Sequence, residues 1–128
     1  MRNALQVTLA IFSVIPLAFG ISGVFFGAGR WLPGEAIPAE LDNQYRYLSA
    51  YYLSLSFLLW WAIPHIERHT TLIRIIAFVL FLGGLSRLWS FVDVGWGSQA
   101  QVAGMVIELA APLLAVWQGF VARRHGGP

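Results

Sequence analysis

Four long apolar stretches alternate with short polar segments along the chain. A helix needs about 20 mostly apolar residues to cross the hydrocarbon core of a bilayer, which is about 30 Å thick. Each stretch meets that requirement, and the segments between them are rich in glycine, proline and helix-capping residues. The pattern therefore predicts four membrane-spanning helices, at about residues 3–26, 42–63, 70–92 and 99–122.

The polar segments indicate where these helices begin and end. "GAGRWLPGEAIPAELDN" ends in Asp42 and Asn43, which are candidate N-cap residues for the second helix. In "PHIERHT", the threonine, Thr70, is the candidate N-cap of the third helix. The amino-terminal stretch resembles a signal peptide, but its apolar run continues through Phe26, so we expect it to remain as the first helix.

Composition supports a membrane protein. The chain is 58% hydrophobic and 11% charged, with a mean hydropathy of +0.67, whereas a soluble domain has about 25% charged residues. We therefore expect one all-α domain, an up-down four-helix transmembrane bundle. The absence of cysteine excludes disulfides, thiolate metal sites and dithiol redox chemistry. A net charge of +2 gives no reason to expect nucleic-acid binding.

The arginines predict the orientation in the membrane. The chain contains no lysine, and five arginines fall on one side of the four-span arrangement, whereas Arg30 lies on the other. The five are Arg2, Arg68, Arg74, Arg123 and Arg124. Because positive residues favour the cytoplasmic side, we expect a multi-pass protein of the inner (plasma) membrane with both termini in the cytoplasm.

Three ionisable residues fall inside the predicted spans, toward their outer halves: Arg46, Arg87 and Glu108. Isolated charges are unfavourable in lipid, and a guanidinium binds a carboxylate through parallel hydrogen bonds. We therefore predict that Arg87 meets Glu108 across two helices. Three interpretations stay open: a structural charge pair, a ligand or ion site, and arginines that reach the headgroups.

Helical spacing predicts which faces carry these charges. Small residues recur at three- or four-residue intervals beside the charges, and such faces let membrane helices approach closely. The first helix offers Gly20, Gly23 and Gly27, and the third offers Gly83 and Gly84. We predict that the four faces converge on a polar nest that opens toward the outer surface and is the candidate ligand site. Its members are Asp42, Tyr45, Arg46, Arg87, Gln101 and Glu108.

The remaining motifs give no support for a metal site, an enzyme or a cofactor. His65 and His69 are four residues apart, but Pro64 argues against an ordered helix there, so we expect no metal site. We see no nucleophile with a matching base, which leaves an enzyme possible but unsupported. Nothing in the sequence predicts a cofactor.

The motifs resemble a bacterial family known as domain of unknown function 4345. The likeness rests on Asp42, Asn43, Tyr45 and Arg46 at the start of the second helix, and on a Gly-Gly-x-x-Arg element in the third. That element is Gly83, Gly84 and Arg87, and Glu108 is similar to an acid expected in the last helix. The resemblance, with a weaker one to DoxX-type bundles, implies a four-helix membrane protein and no assigned reaction.

Three functions are compatible with these features. The chain, embedded in the lipid bilayer, could bind a small amphipathic or anionic ligand or a lipid in the polar nest. Its small size and short loops also suit an accessory or assembly subunit of a larger membrane complex. A homo-oligomer of the chain alone would argue against that second function. A small proton-coupled transporter is the third alternative, with Glu108 carrying the proton.

Overall fold

The computed structural model describes residues 1–95 and 97–124, and every regular element within those ranges is a helix. Four long helices follow one another: α1 (Arg2–Phe26), α2 (Ala39–Ala62), α3 (Thr70–Val94) and α4 (Gln99–Arg124). Two 3₁₀ turns, Ala28–Arg30 and Ile63–Arg68, lie in the connections. The all-α class with four helices is confirmed.

Three helices in the described part of the chain, α1, α3 and α4, are long and apolar enough to cross a membrane. Helix α2 has 24 residues, or about 36 Å at 1.5 Å per residue, so its length also suffices. Its composition is more polar, because Glu40, Asp42 and Arg46 lie near its start and serines and tyrosines follow. The sequence pattern therefore overstated the apolar character of the second helix.

The chain divides into two compact units. We call Gln6–Pro64 the amino-terminal unit, and Met1–Leu5 together with His65–Pro128 the carboxy-terminal unit. The amino-terminal unit holds most of α1 with α2. The carboxy-terminal unit holds α3 and α4, joined by a short connection, and the first residues of α1.

Glycines bring α1 and α2 into close contact within the amino-terminal unit. A Cβ atom at Gly20 would lie 2.6 Å from Leu53 Cβ and 2.8 Å from Leu53 Cα, which is closer than real Cβ atoms approach. One turn further, Gly23 faces Ser49 and Tyr45 in the same way. The glycine face predicted for the first helix therefore packs on the face of α2 that carries Tyr45, Ser49 and Leu53.

A buried serine links the same two helices by hydrogen bonds. The Ser56 hydroxyl donates to the Ser13 carbonyl oxygen at 2.7 Å, and the Trp60 indole N–H donates to Ser13 Oγ at 2.8 Å. Ser13 Oγ in turn donates to the Ala10 carbonyl oxygen at 2.6 Å. Because these polar groups are paired, they can lie between apolar helices without the penalty of an unsatisfied group.

Helices α3 and α4 approach closely at Gly84. A Cβ atom at Gly84 would lie 3.0 Å from two side-chain carbons of Leu109 and 3.1 Å from the Leu109 backbone nitrogen. That nitrogen belongs to the α4 backbone and cannot move aside as a flexible side chain could. The contact therefore sets the separation of α3 and α4 at this level.

Two N-cap predictions are wrong. Helix α2 begins at Ala39 after Pro38, so Asp42 and Asn43 both lie inside the helix. The Asp42 carboxylate binds the backbone of the preceding connection. Helix α3 has His69 at its N-cap, without a side-chain cap, and Thr70 is its first residue. The Thr70 hydroxyl accepts a hydrogen bond from Gln118 Nε2 on α4, at 3.0 Å.

The connection between α2 and α3 is held by polar contacts in each unit. In the amino-terminal unit, Gln6 Nε2 donates to the Ile63 carbonyl oxygen at 2.8 Å. In the carboxy-terminal unit, Arg2 Nε contacts Glu67 Oε2 at 2.8 Å. The hydrogen bond from Arg2 holds the pKa of the Glu67 carboxyl below its ordinary value.

A Cβ atom at Gly84 would require the Leu109 backbone of α4 to shift by a few tenths of an ångström. We expect Gly84→Ala to lower the free energy of unfolding by about 1–3 kcal/mol, which is typical of overpacking. The measurement is reversible unfolding in mixed micelles of a mild detergent and dodecyl sulfate.

Gly119→Ala is the matched control, because a Cβ atom at this helical glycine of α4 would meet no atom within 4 Å. Alanine also favours a helix over glycine by about 1 kcal/mol, so the control should be neutral or stabilising. Equal effects of the two substitutions would contradict the close approach.

Candidate functional site

The six predicted site residues divide between the two units. Asp42, Tyr45 and Arg46 belong to the amino-terminal unit, whereas Arg87, Gln101 and Glu108 belong to the carboxy-terminal unit. Their meeting in one polar nest stays a prediction. The contacts of the two groups are described separately below.

Arg46 and Asp42 together cap the carboxyl end of α1. Arg46 Nε binds Asp42 Oδ2 at 2.7 Å, and Arg46 Nη1 donates to the carbonyl oxygens of Val24 and Phe25 at 2.8 and 3.1 Å. These carbonyls are in the last turn of α1, where the helix supplies no further amide donors. Asp42 Oδ1 accepts the Ala28 backbone N–H at 3.1 Å.

Gly27 makes this cap possible. Its φ of 67° lies in the left-handed region that glycine adopts without strain. A Cβ atom there would also lie 2.8 Å from Arg46 Nη2 and would collide with Asp42. Gly27, Asp42 and Arg46 together form the cap of α1, so the Asp42–Arg46 motif has a structural role.

Tyr45 contacts the connection that follows α1. Its hydroxyl accepts a hydrogen bond from the Trp31 indole N–H. Trp31 in turn stacks on Phe19, with the ring centroids 5.9 Å apart. Tyr45 therefore anchors the connection to α2.

Arg87 and Glu108 form the predicted ion pair between α3 and α4. Arg87 Nε lies 2.8 Å from Glu108 Oε1, which confirms the pairing. Glu108 Oε1 is buried, so the Arg87 guanidinium is the group that compensates its charge. The Glu108 side chain is 12% exposed and the Arg87 side chain 38%.

Two glycines provide the space for the pair. A Cβ atom at Gly83 would lie 2.7 Å from Glu108 Oε2, and one at Gly104 would lie 3.6 Å from Arg87 Cζ. Glycine at these positions lets each charged side chain lie flat against the opposite helix. Pro112, one turn after Glu108, lacks an amide proton and so cannot bind the Glu108 carbonyl oxygen.

The pair leaves part of the guanidinium available. Glu108 contacts Nε, and within residues 1–95 and 97–124 the terminal nitrogens of Arg87 make no hydrogen bond. A guanidinium has five N–H donors in a planar fork that matches carboxylate and phosphate oxygens. The outer edge of Arg87 can therefore accept an anion while its inner edge contacts Glu108.

Gln101 forms a capping box at the start of α4, which the sequence analysis missed. The Ser98 backbone N–H donates to Gln101 Oε1 at 3.2 Å, and the Gln101 backbone N–H donates to Ser98 Oγ at 3.3 Å. The sequence "SQAQ" carries the signal, since a serine followed three residues later by glutamine is typical of such a cap.

Gln118 is a buried polar residue that the sequence analysis also missed. Its side chain is 0% exposed, and Nε2 donates to the Ile66 carbonyl oxygen at 2.8 Å as well as to Thr70. No described residue donates to its Oε1. Gln118 thereby holds the end of the α2–α3 connection against α4. Among the described residues, no three histidine, cysteine or acidic side chains lie close enough to hold a metal.

The α1 cap predicts a local effect of losing Asp42. We expect Asp42→Ala to accelerate hydrogen exchange at the Ala28 amide by about 10-fold or more, because a hydrogen bond to a charged group contributes about 1.5–3 kcal/mol. Hydrogen–deuterium exchange of the protein in lipid nanodiscs measures this change.

Glu40→Ala is the matched control in the same turn of α2, since Glu40 has no ion pair with the described residues. Exchange near Ala28 should stay at the wild-type rate in that variant. An equal rate in the Asp42 and Glu40 variants would contradict the capping role.

Comparison with known proteins identifies the family of the chain. No curated protein and no solved structure matches it. A family model described as "Domain of unknown function (DUF4345)" matches residues 4–118. The match includes Arg46 and Arg87 with their partners Asp42 and Glu108, and it confirms the resemblance seen in the sequence. The chain therefore belongs to the DUF4345 family.

Proposed function

We propose that the chain is a multi-pass membrane protein that binds an anionic amphiphile, a fatty acid or a related lipid, at the guanidinium of Arg87. The single observation that carries the proposal is that Glu108 contacts only the Nε edge of the Arg87 guanidinium. Arg87 lies in the mostly apolar helix α3 and is 38% exposed, and its terminal nitrogens make no bond to the described residues.

Membrane insertion is the first part of the proposal. Helices α1, α3 and α4 have the length and composition to cross a bilayer, and α2 has the length. All four cross in the proposal, which places both termini in the cytoplasm of a bacterial cell and Arg87 toward the outer surface. The arginines near the ends of α3 and α4 support that orientation.

The depth of Arg87 favours an amphiphile over a small soluble anion. Arg87 lies seven residues before Val94 at the end of α3, or about 10 Å along the axis. A ligand head group at that depth must leave bulk water, which is easier for a molecule whose tail lies among lipid chains. A guanidinium there gives the carboxylate or phosphate two parallel hydrogen bonds.

Glu108 has a positioning role in this proposal. Its contact with Nε fixes the guanidinium and keeps Arg87 compensated when no ligand is bound. A bound anion would share the guanidinium with Glu108, so the carboxylate should weaken binding by charge repulsion. Removing the Glu108 charge should therefore preserve or strengthen binding.

The amino-terminal arginine is a poorer candidate for the same ligand. Arg46 already binds Asp42 through Nε and two carbonyl oxygens through Nη1. An anion on Arg46 would compete with the cap of α1. The proposal therefore assigns ligand binding to Arg87 and structural support to Asp42, Tyr45 and Arg46.

The proposal predicts charge-dependent binding of oleate, a simple anionic amphiphile. Native mass spectrometry of the protein in zwitterionic nanodiscs measures the bound fraction, with oleyl alcohol as the uncharged comparison. We expect Arg87→Gln to weaken oleate binding by about 10-fold or more, because charged hydrogen bonds are lost. Oleyl alcohol binding should not change.

Two further variants separate binding from folding. Glu108→Gln should bind oleate at least as well as the wild type, which a purely structural pair would not predict. Arg30→Gln removes one arginine outside the carboxy-terminal unit and should leave binding unchanged. Equal oleate binding by the wild type and Arg87→Gln would refute the proposal.

A further inference from the structure

The opposite end of the α3–α4 pair carries a second feature that the Arg87 site does not use. A cavity of about 330 Å³ lies between the start of α3 and the end of α4. Its lining residues are Thr70, Arg74, Gly119, Ala122 and Arg123. An adjoining cavity of about 210 Å³ shares Arg74, Gly119 and Arg123 and adds Ala115 and Val116. The two form one groove, which we call the basic groove.

We infer that the basic groove binds an anionic phospholipid, with the phosphate on Arg74 and Arg123 and an acyl chain along α4. This site is independent of the proposed site at Arg87. Arg74 lies 13 residues before Arg87 on α3, so the two arginines are about 20 Å apart along the helix axis.

The charges of the groove match a phosphate group. Both lining arginines are exposed, and the lining contains no acidic side chain. Within the described ranges, Arg74 makes neither a hydrogen bond nor an ion pair. Arg123 uses Nε on the Gly119 carbonyl oxygen at 3.3 Å, and its guanidinium lies 4.9 Å from the Phe120 ring centroid. The described lining of the groove therefore contains two cations and no carboxylate.

The shape of the groove matches an acyl chain below the phosphate. Ala115, Gly119 and Ala122 follow one face of α4, and their small side chains leave an apolar channel. The channel extends from Arg123 to Ala115, or about 12 Å by helical rise. A Cβ atom at Gly119 would meet no atom within 4 Å, so the floor of the groove is open. A polar mouth above an apolar channel fits an amphiphile and not a free anion.

The position of the groove also selects an anionic lipid. Arg74 and Arg123 belong to the set of arginines whose distribution predicts the cytoplasmic side. Anionic lipids give the cytoplasmic leaflet its negative surface potential, and each nearby arginine adds attraction of about 1 kcal/mol. A zwitterionic lipid, whose positive head group would face two guanidiniums, should bind more weakly.

The test measures lipid selectivity with defined nanodiscs that contain phosphatidylcholine and phosphatidylglycerol in equal parts. Native mass spectrometry of the released protein gives the ratio of the two lipids that stay bound. We expect enrichment of phosphatidylglycerol in the wild type, and an enrichment about five-fold lower in Arg74→Gln, as the loss of one arginine predicts.

Two variants locate the effect in the groove. Gly119→Leu places a side chain in the open channel without changing the charge, and it should reduce phosphatidylglycerol retention as Arg74→Gln does. Arg30→Gln removes the same charge elsewhere and should keep the wild-type ratio. Unchanged enrichment in both groove variants, or an equal loss in Arg30→Gln, would overturn the inference.

A third arm separates a lipid head group from free phosphate. Inorganic phosphate is added to the protein in nanodiscs of phosphatidylcholine alone. We expect no phosphate adduct that depends on Arg74, because the channel contributes to binding only when an acyl chain fills it. A phosphate adduct that disappears in Arg74→Gln, without phosphatidylglycerol enrichment in the mixed nanodiscs, would replace the lipid with a free anion.

Discussion

A charged side chain can lie within an apolar helix pair only when another group compensates its charge. In α3 and α4 that requirement is met by Arg87 and Glu108, whose Nε and Oε1 atoms are 2.8 Å apart. The pair forms only where the two backbones come close, and Gly83 and Gly104 supply the space. The glycines of this helix pair therefore serve the charge pair as well as the packing.

Arg46 and Arg87 meet the same requirement differently, and the difference gives them different roles. Arg46 binds a carboxylate and two carbonyl oxygens, so it completes the end of α1. Arg87 binds one carboxylate through Nε and leaves its outer edge unbound by the described residues. Similar sequence contexts thus give one cap and one candidate anion site. Only the contacts distinguish them.

The sequence predicted those features that depend on local pattern and charge. The four helices follow from apolar length, the Arg87–Glu108 pair from the rarity of charges in such helices, and the α1 face from the spacing of Gly20, Gly23 and Gly27. The N-caps failed because Asp42 and Thr70 bind partners distant in sequence, Ala28 and Gln118. Long-range polar contacts carry no periodic signal.

The burial of polar residues also depends on long-range contacts, so the sequence pattern does not predict it. Gln118 lies near the end of an apolar helix, where a glutamine is usually solvated, yet it is fully buried against Ile66 and Thr70. The contacts of Ser13 with Ser56 and Trp60 could not be predicted from the sequence either, since serine is common in membrane helices of any packing. The capping box at Ser98 and Gln101 is different, because a serine followed three residues later by glutamine is a local pattern that predicts such a cap.

The most direct test of the account is a double-mutant cycle on the ion pair, with Arg87→Met, Glu108→Met and the double variant. Reversible unfolding in mixed micelles gives the free energy of each. Each single variant leaves one uncompensated charge, and the double variant leaves none, so we expect a coupling energy of about 1–3 kcal/mol. Additive effects, within about 0.5 kcal/mol, would show that the two charges do not stabilise each other and would contradict the account.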